Sequence, residues 1–479
     1  MHRNLIAGQW LEGPSASRDI NPSDTRDCIG EFAQADAAQL REAIGAAHAA
    51  APAWAASTPL QRFEVLDAVG AELLARRQEL GDLLAREEGK TLPEAVAEVT
   101  RAGHIFKFHA GEALRPEGHA LPSVRPGVGI ELTREPLGVV GLITPWNFPI
   151  AIPAWKIAPA LAQGNTVVFK PAEAVPASAW ALAEILSRAG LPAGTFNLVM
   201  GRGLELGPVL AEDPRVAAIS FTGSVRTGRG VAAACVARMA RCQLEMGGKN
   251  PMVVLDDADL EVAVNAAVQS GWYSTGQRCT ASSRLIVTPG IHDRFVAALV
   301  ERLGRLRVDD ARKPGTDIGP VIDERQLAVD LAAIERARDE GARLAFGGRA
   351  MAHNPDGQPG WYLQPTLFTD TTPQMAINRE EVFGPVVSVQ RARDDDEALA
   401  LANDTPFGLA AGIATTSLKR ATHFRRHAQA GMVMVNLPTA GVDFHVPFGG
   451  RKGSSLGPRE QGPQAAEFYS QWKTAYTAA

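Results

Sequence analysis

From Gly138 onward, short apolar segments alternate with longer segments that have helical spacing, and this rhythm limits the folds open to the chain. The short segments contain no regular exchange of polar and apolar residues; they are 138–144, 166–170, 196–200, 216–221 and 241–245. Strands that are apolar on both sides are typical of parallel sheets covered by helices on both faces. Because crossovers between parallel strands are right-handed, the rhythm predicts an α/β fold with a doubly wound, nucleotide-binding sheet.

A second α/β series follows the first. Its predicted strands are 252–255, 285–287, 386–389 and 432–436, and its predicted helices are 292–305, 324–340, 395–403 and 416–429. Residues 36–115 have helical spacing, and alternation between Gly and Pro turns predicts an extended hairpin over 119–136. A chain of 479 residues is too long for one ordinary core. We therefore expect two or three domains.

Composition and charge argue against several classes of partner. The net charge of −5 points neither to nucleic acid nor to an anionic membrane. No apolar run is long enough to cross a bilayer, and the first residues show no leader pattern, so we expect a cytoplasmic protein. The four cysteines form no CxxC pair and no zinc-like spacing with histidine, so no metal site is predicted.

Cys279 and Glu245 are the strongest catalytic candidates. Cys279 is surrounded by polar residues in 276–280, and Glu245 precedes the glycine pair 247–248. A thiolate attacks carbonyl carbon, and a carboxylate can act as a general base on water. The alternative for Cys279 is a small core residue. Its polar neighbours, and a glycine pair that indicates backbone clearance, favour the chemical interpretation.

Polar or glycine-containing segments follow several predicted strands, where open α/β sheets bind ligands. They are 144–149, 170–173, 201–207, 221–224 and 380–386. Asn147 could donate to an oxyanion, Glu173 could accept from ribose hydroxyls, and glycine turns could present N–H groups to phosphate. Each also has an ordinary interpretation as a capped turn, a salt pair or a tight turn. The glycine spacing in 201–207 is GxGxxxG, which departs from the GxGxxG fingerprint.

In order along residues 6–460, these motifs together resemble the aldehyde dehydrogenase superfamily. The resemblance rests on 145–149, 169–173, 221–224, 244–249, 276–279 and 381–385. It implies that Cys279 attacks an aldehyde to give a thiohemiacetal, whose oxyanion is held by the Cys279 backbone N–H and the Asn147 side chain. It also implies hydride transfer to nicotinamide and hydrolysis of a thioester with Glu245 as the base. Lys170 joins these residues in the predicted catalytic set.

The resemblance further implies a dinucleotide site. Lys170 and Glu173 would contact the adenosine ribose, Glu381 the nicotinamide ribose, and Ser224 with its helix the pyrophosphate. The full predicted set is Ile143, Thr144, Pro145, Trp146, Lys170, Glu173, Gly203, Gly207, Phe221, Thr222, Gly223, Ser224, Glu245, Met246, Gly247, Glu381 and Phe383. A carboxylate at Glu173 favours NAD, whereas a rotated Glu173 with Lys170 could admit NADP.

The family's architecture implies how the chain is divided. Residues 1–118 and 137–246 would form the dinucleotide-binding domain, and 247–462 the catalytic domain. Residues 119–136 and 463–479 would be oligomerisation elements of a homodimer or homotetramer. A small-molecule aldehyde is the expected partner, with no nucleic acid and no membrane.

Within the family, the sequence is similar to the 2,5-dioxovalerate (α-ketoglutaric semialdehyde) dehydrogenases. This similarity rests on Lys156 and on the segments 279–284, 440–442 and 447–462, where Ser454-Ser455 replaces the more usual Ser-Gly. A substrate with a distal carboxylate would need a cation near the tunnel mouth, and Arg278 and His445 are the predicted candidates. Succinate semialdehyde, lactaldehyde, aromatic aldehydes and betaine aldehyde remain open.

Three other activities compete with hydrolytic aldehyde oxidation. A CoA-acylating enzyme of the same fold is disfavoured by Glu245, because those enzymes commonly lack this carboxylate. A cysteine hydrolase or esterase is disfavoured by the predicted ribose ligands Glu173 and Glu381. A non-catalytic protein that retains the fold is the third possibility. For the enzyme, we expect a low pKa for Cys279.

Overall fold

Residues 1–478 are described by this computed structural model, and 22 strands and 15 α-helices account for most of them. The strands are β1 Asn4–Ile6, β2 Gln9–Leu11, β3 Ser15–Ile20, β4 Cys28–Gln34, β5 Gly118–Pro122, β6 Val128–Pro136, β7 Val139–Ile143, β8 Thr166–Lys170, β9 Phe196–Leu198, β10 Val216–Gly223, β11 Arg241–Met246, β12 Asn250–Val254, β13 Ser282–Val287, β14 Arg343–Phe346, β15 Ala350–His353, β16 Pro359–Leu363, β17 Thr366–Thr369, β18 Val386–Arg391, β19 Ala410–Ala414, β20 Met432–Val435, β21 Ser455–Leu456 and β22 Ser470–Ala478.

The helices fill the intervals between these strands and cover the sheets. They are α1 Ala37–Ala55, α2 Pro59–Ala75, α3 Arg77–Glu88, α4 Leu92–Ala113, α5 Ala151–Ala162, α6 Pro176–Arg188, α7 Gly203–Glu212, α8 Val225–Ala237, α9 Leu260–Gly271, α10 Pro289–Leu303, α11 Glu324–Asp339, α12 Ala376–Arg379, α13 Asp395–Asn403, α14 Leu418–His427 and α15 Ala466–Tyr469. Within residues 1–478, no helix combines the length and the apolarity needed to cross a membrane.

The first sheet has the strand order β2-β1-β9-β8-β7-β10-β11-β21. Its five central strands are parallel, while β1, β2 and β21 pair antiparallel at the edges. Successive residues of β8 enter different cores: Val167 and Phe169 pack with α2–α6, whereas Val168 packs with α1, α7 and α8. Both faces are therefore covered, which explains the apolar runs and confirms the predicted doubly wound sheet.

The second sheet has the order β14-β17-β18-β13-β12-β19-β20, and all its pairs are parallel except β14 with β17. Met252 and Val254 of β12 pack on one side against α9 and α10, and Val253 packs on the other against α13 and α14. The four predicted strands are present. The sequence did not reveal β19, because Ala410–Ala414 has a single β-branched residue, Ile413, among Ala and Gly.

A third sheet of order β22-β6-β5 confirms the predicted hairpin. The terminal strand β22 pairs with β6 along its whole length, from Ser470 opposite Pro136 to Ala478 opposite Val128. All residues of β5 and all residues of β22 after Ser470 are exposed. The role of this sheet in oligomerisation stays a prediction, as do the domain boundaries.

Candidate active site

Cys279 follows a tight loop with an unusual backbone. Ser274, Thr275 and Gly276 have successive φ values of 51°, 57° and 66°, a left-handed run that β-branched Thr275 disfavours. A side chain at Gly276 would collide with the Gly384 carbonyl oxygen, so glycine is required there. Thr275 compensates by donating from Oγ1 to the Gly319 carbonyl at 3.1 Å. The loop is therefore held in its shape by contacts from distant parts of the chain.

Two asparagines fix the position of the Cys279 backbone. Asn147, after β7, donates from Nδ2 to the Gln277 carbonyl at 2.9 Å. Asn250, at the start of β12, donates from Nδ2 to the carbonyls of Cys279 and Ala281 at 2.7 and 2.9 Å. Sequence reasoning selected Asn147 but missed Asn250, although the residue follows the predicted Glu245 motif directly. Only its pairing across the fold reveals that it holds the thiol's backbone.

The Cys279 side chain lies half-buried on the wall of a cavity of about 360 Å³. The other lining residues are Lys90, Glu94, Ala97, Glu98, Arg101, Phe148, Trp155, Gln269, Tyr273, Ser274, Arg278, Thr280, Pro438, Ala440, Gly441, Val442 and Phe448. Burial, and then the Glu245 and Glu381 carboxylates, raise the pKa of Cys279 to about 12. The expected low pKa is therefore wrong, because the sequence reveals neither the burial nor the two nearby anions.

Glu245 occupies the carboxyl end of β11 and is buried. Its Oε2 accepts a hydrogen bond from Ser455 Oγ at 2.6 Å, because β21 pairs antiparallel with β11 and sets Ser455 opposite Glu245. Burial and the Glu460 carboxylate raise the pKa of Glu245 well above its usual value, while the Ser455 hydrogen bond lowers it. Lys156 donates to Glu460 and to Ser220 Oγ, so the second carboxyl group is paired. Sequence reasoning noted Ser455 as a departure from the family pattern but did not predict this contact.

Lys170, Glu173 and Gly203 come together at the ends of β8 and β9. The Gly203 N–H, at the start of α7, donates to Glu173 Oε1. A Cβ at Gly203 would lie 3.2 Å from Lys170 Nζ and 3.4 Å from Glu173 Oε1, so glycine keeps this corner open. Burial lowers the pKa of Lys170 to about 8. Lys170 lies with these predicted ribose contacts and is not among the residues that line the Cys279 cavity.

The segment after β10 leads directly into α8. Ser224 caps this helix, and its Oγ accepts from the Thr227 N–H at 3.3 Å. Ser224 is exposed, so the amino end of a 13-residue helix faces outward with its positive dipole end. Met246 packs so tightly against Gly228 of α8 that a Cβ there would lie 2.5 Å from its Sδ. Of the other predicted residues here, Phe221 and Thr222 are buried and Gly223 is half-buried.

Glu381 reaches from the second sheet to the end of β11. Its Oε1 accepts from the Gly248 N–H at 2.9 Å, and any side chain at Gly247 would collide with its carboxylate. The glycine pair therefore provides backbone clearance. Burial raises the pKa of Glu381 to about 7, against the opposing effects of Gly248 and Lys249. Phe383 lies edge-on to Trp146 with 5.4 Å between ring centroids.

The remaining predicted cofactor residues lie at strand ends or in the following helix. Ile143 ends β7, and the Thr144 N–H donates to the Lys170 carbonyl at 3.4 Å, while Pro145 follows in the loop to α5. Gly207 lies one turn inside α7, with open space around it. Side chains converge at the carboxyl ends of β7, β8, β10 and β11, as this class of sheet requires. Their contact with a dinucleotide stays a prediction.

The two predicted cations of the tunnel mouth differ in position. Arg278 lines the cavity, but its Nη2 donates to Glu94 Oε1 at 2.6 Å. His445 is exposed and is not among the lining residues. Arg101, on α4, lines the cavity and was not predicted. In the sequence, Arg101 is simply a charged residue in an amphipathic helix, so nothing there indicates that it faces the cavity.

Comparison with known proteins gives one consistent result. The sequence profile of the aldehyde dehydrogenase family matches residues 10–475. The chain is 42% identical to the alpha-ketoglutaric semialdehyde dehydrogenase of Bacillus subtilis, covering 99% of this chain and 97% of that protein. It is 41% identical to the 2,5-dioxopentanoate dehydrogenase of Saccharolobus solfataricus, with 98% of each covered. The crystal structure of betaine aldehyde dehydrogenase from Staphylococcus aureus in complex with NAD+ superposes with a TM-score of 0.97 at 33% identity, over 100% of this chain and 94% of that one.

Proposed function

Because the chain belongs to the aldehyde dehydrogenase family, we propose that it oxidises a semialdehyde with a distal carboxylate, such as 2,5-dioxopentanoate, to the dicarboxylic acid with NAD. One observation carries the proposal. Cys279 lies on the wall of the cavity, and the Asn147 amide holds its loop by a hydrogen bond to Gln277. The Glu245 carboxylate is close enough for its charge to raise the pKa of the thiol. The names and the nearly complete coverage of the relatives support the substrate class.

The first proposed step is attack by Cys279. The Cys279 thiol gives its proton to a water molecule, which passes it to solvent, and Sγ then donates an electron pair to the aldehyde carbon while the carbonyl pair moves to oxygen. Asn147 Nδ2 has two hydrogens and Gln277 accepts one, which leaves the other for the developing oxyanion beside the Cys279 N–H. Burial and the nearby carboxylates raise the pKa of Cys279, so the thiol must lose its proton before it attacks.

The second proposed step releases the acid. Glu245 accepts a proton from a water molecule, whose oxygen attacks the thioester carbon and displaces the Cys279 thiolate. The raised pKa of Glu245 makes its carboxylate a stronger base than an exposed glutamate. Ser455 orients the carboxylate through its hydrogen bond. This arrangement favours hydrolysis over transfer of the acyl group to CoA.

Residues of this chain also fit a dinucleotide. The chemistry that NAD supplies when bound is acceptance of the hydride from the substrate carbon. The open corner formed by Lys170, Glu173 and Gly203 suits a ribose with a free 2′-hydroxyl, and the Glu173 carboxylate would repel a 2′-phosphate. Glu381 beside Gly247 suits the second ribose, and the exposed start of α8 suits the pyrophosphate.

Assembly and location complete the proposal. We expect a homodimer or homotetramer built through 119–136 and 463–479, since this three-stranded sheet exposes most of its side chains. A cytoplasmic location stays our prediction.

The test is a panel of aldehydes scored by kcat/KM from NADH formation. We expect 2,5-dioxopentanoate to exceed succinate semialdehyde, betaine aldehyde and pentanal, with acid formed in the absence of CoA. A preference for betaine aldehyde is the main alternative, because relatives from Cereibacter sphaeroides that are 43% identical have that name. Such a preference, or strict dependence on CoA, would contradict the proposal.

A further inference from the structure

Three cations line the cavity in front of Cys279, and they differ in how their charges are compensated. Lys90 Nζ lies 2.7 Å from Glu98 Oε2. Arg278 Nη2 lies 2.6 Å from Glu94 Oε1. Each of these two charges therefore has a carboxylate of the protein in direct contact, which already compensates it.

Arg101 has no such partner. Among residues 1–478, no carboxylate lies within salt-bridge distance of its guanidinium. Its one side-chain hydrogen bond runs from Nη2 to Gln461 Oε1 at 3.1 Å, and its Nε is buried without an acceptor. A guanidinium has five N–H donors, so most of its hydrogen-bonding capacity is unused. Burying a cation without a paired anion costs free energy. Burial accordingly lowers the pKa of Arg101.

The surroundings of Arg101 fix its orientation. The guanidinium lies over the Trp155 ring, 5.6 Å from its centroid, and Trp155 stacks on Phe448 at 5.4 Å. Gln461 is fully buried, and its Oε1 accepts the Arg101 hydrogen bond. Aromatic stacking on one side and the Gln461 amide on the other keep the planar fork of Arg101 in place.

Nearby carboxylates do not satisfy this cation. Glu98 is engaged elsewhere: its Oε1 accepts from the N–H groups of Ile150 and Ala151 at 3.0 Å, and its Oε2 accepts from Lys90. Arg101 is also close enough to Cys279 for the thiolate charge to act on it. An anion bound by Arg101 would therefore share the cavity with the reacting thiol.

We propose that Arg101 binds the carboxylate at the end of the substrate remote from the aldehyde, with Gln461 as a positioning residue. The inference rests on the proposed function in one respect, namely that the substrate has a carboxylate. A planar guanidinium and a carboxylate form parallel charge-assisted hydrogen bonds, which specify both the charge and the distance of that group. Arg101 thus replaces the predicted candidates Arg278 and His445 as the residue that selects the substrate.

The test compares Arg101→Met with Arg278→Met on 2,5-dioxopentanoate and on pentanal, which has the same five-carbon chain but neither the carboxylate nor the 2-oxo group. For Arg101→Met we expect kcat/KM on the semialdehyde to fall about 10- to 100-fold, mainly through KM, while pentanal changes less than about 3-fold. Arg278→Met is the matched control, because it removes a cavity arginine that already has a carboxylate partner. We expect its effect on the ratio of the two substrates to be below about 3-fold.

Binding without turnover provides a second measurement. Glutarate has carboxylates at both ends of a five-carbon chain, and we expect its competitive inhibition constant to rise about 10-fold or more in Arg101→Met. Gln461→Leu should raise KM for the semialdehyde and leave kcat unchanged. A variant that merely disturbs the fold would instead lower kcat for both substrates. Should Arg101→Met fail to fold, Arg101→Gln keeps the polar shape without the charge and should show the same selective loss.

The outcomes separate the two proposals. If the wild-type enzyme prefers pentanal, the proposed substrate class is wrong and the role of Arg101 is wrong with it. If the wild-type enzyme prefers 2,5-dioxopentanoate and Arg101→Met keeps that preference and the same inhibition by glutarate, only the role of Arg101 is overturned. A loss of preference in Arg278→Met alone would overturn it equally.

Discussion

The nucleotide side and the thiol side of the site are built in different ways. On the nucleotide side, the predicted cofactor residues Glu173, Ser224 and Gly247 lie within a few residues of strand ends of one sheet. On the thiol side, Cys279 depends on Asn250 and a left-handed loop, and Glu245 depends on Ser455 from β21. The first region is placed mainly by the strand order of one sheet, although Glu381 also reaches Gly248 from the second sheet, whereas the second region depends on several hydrogen bonds between distant segments. The two should therefore respond separately to mutation.

Cys279→Ala separates the two regions most sharply. We expect aldehyde oxidation to fall about 10⁴-fold or more, because no other thiol among residues 1–478 lines the cavity. The dissociation constant for NAD should stay within about 3-fold of wild type, since the nucleotide side is unaltered. Stopped-flow NADH formation and NAD titration measure the two effects. A parallel loss of NAD binding would contradict the division.

Glu245→Gln tests whether this carboxylate is needed only for the second chemical step, the hydrolysis of the thioester. Steady-state turnover should fall about 10²- to 10³-fold because deacylation loses its base, while the first turnover still yields a burst of NADH. The burst amplitude, compared with the concentration of active sites, is the measurement. Absence of a burst in a folded variant would show that Glu245 is also needed before hydride transfer.

Glu173→Gln acts on the nucleotide side alone. The change removes the negative charge that repels a 2′-phosphate, so the ratio of kcat/KM for NAD to that for NADP should fall about 10-fold. The NADH burst with saturating cofactor should stay unchanged, since Glu173 lies away from the Cys279 cavity. An unaltered cofactor ratio would remove Glu173 from the ribose site.

Ser455→Ala has the smallest expected effect, and its direction follows from the sign of one pKa shift. Ser455 donates to the Glu245 carboxylate and so lowers its pKa against the larger effect of burial. Without the hydroxyl, the pKa of Glu245 rises further, and the acid limb of deacylation moves to higher pH. The pH profile of steady-state kcat measures this shift, and Ser454→Ala is the neighbouring control. A shift to lower pH would contradict the proposed contact.

The contrast between the two regions also explains what the sequence could predict. Thr166–Lys170 matches its predicted bounds because an apolar run bounded by turn residues is a local signal. The motifs with Glu245, Cys279 and Asn147 were likewise visible, since each lies beside a strand end or in a polar segment. Arg278, a predicted cation of the tunnel mouth, does line the cavity, but the sequence could not indicate whether its charge is available to a substrate. Its guanidinium instead pairs with Glu94, far away in the chain.

Three features were beyond sequence reasoning for physical reasons. Asn250 and Arg101 act through contacts that only the folded chain creates, and neither residue type is unusual where it stands. The raised pKa of Cys279 comes from burial and from two carboxylates on different segments. A sequence indicates which groups can titrate but not how much water each one loses on folding.

The strand β21 has a consequence for how the enzyme is made. Ser455 and Gln461 lie near the end of the chain, yet they contact Glu245 near its middle and Arg101 in its first quarter. A growing chain can complete most of both large sheets before these residues have been synthesised. The hydrolytic base and the substrate-selecting arginine are thus completed last, so an unfinished chain contains its reactive cysteine without the groups that direct it.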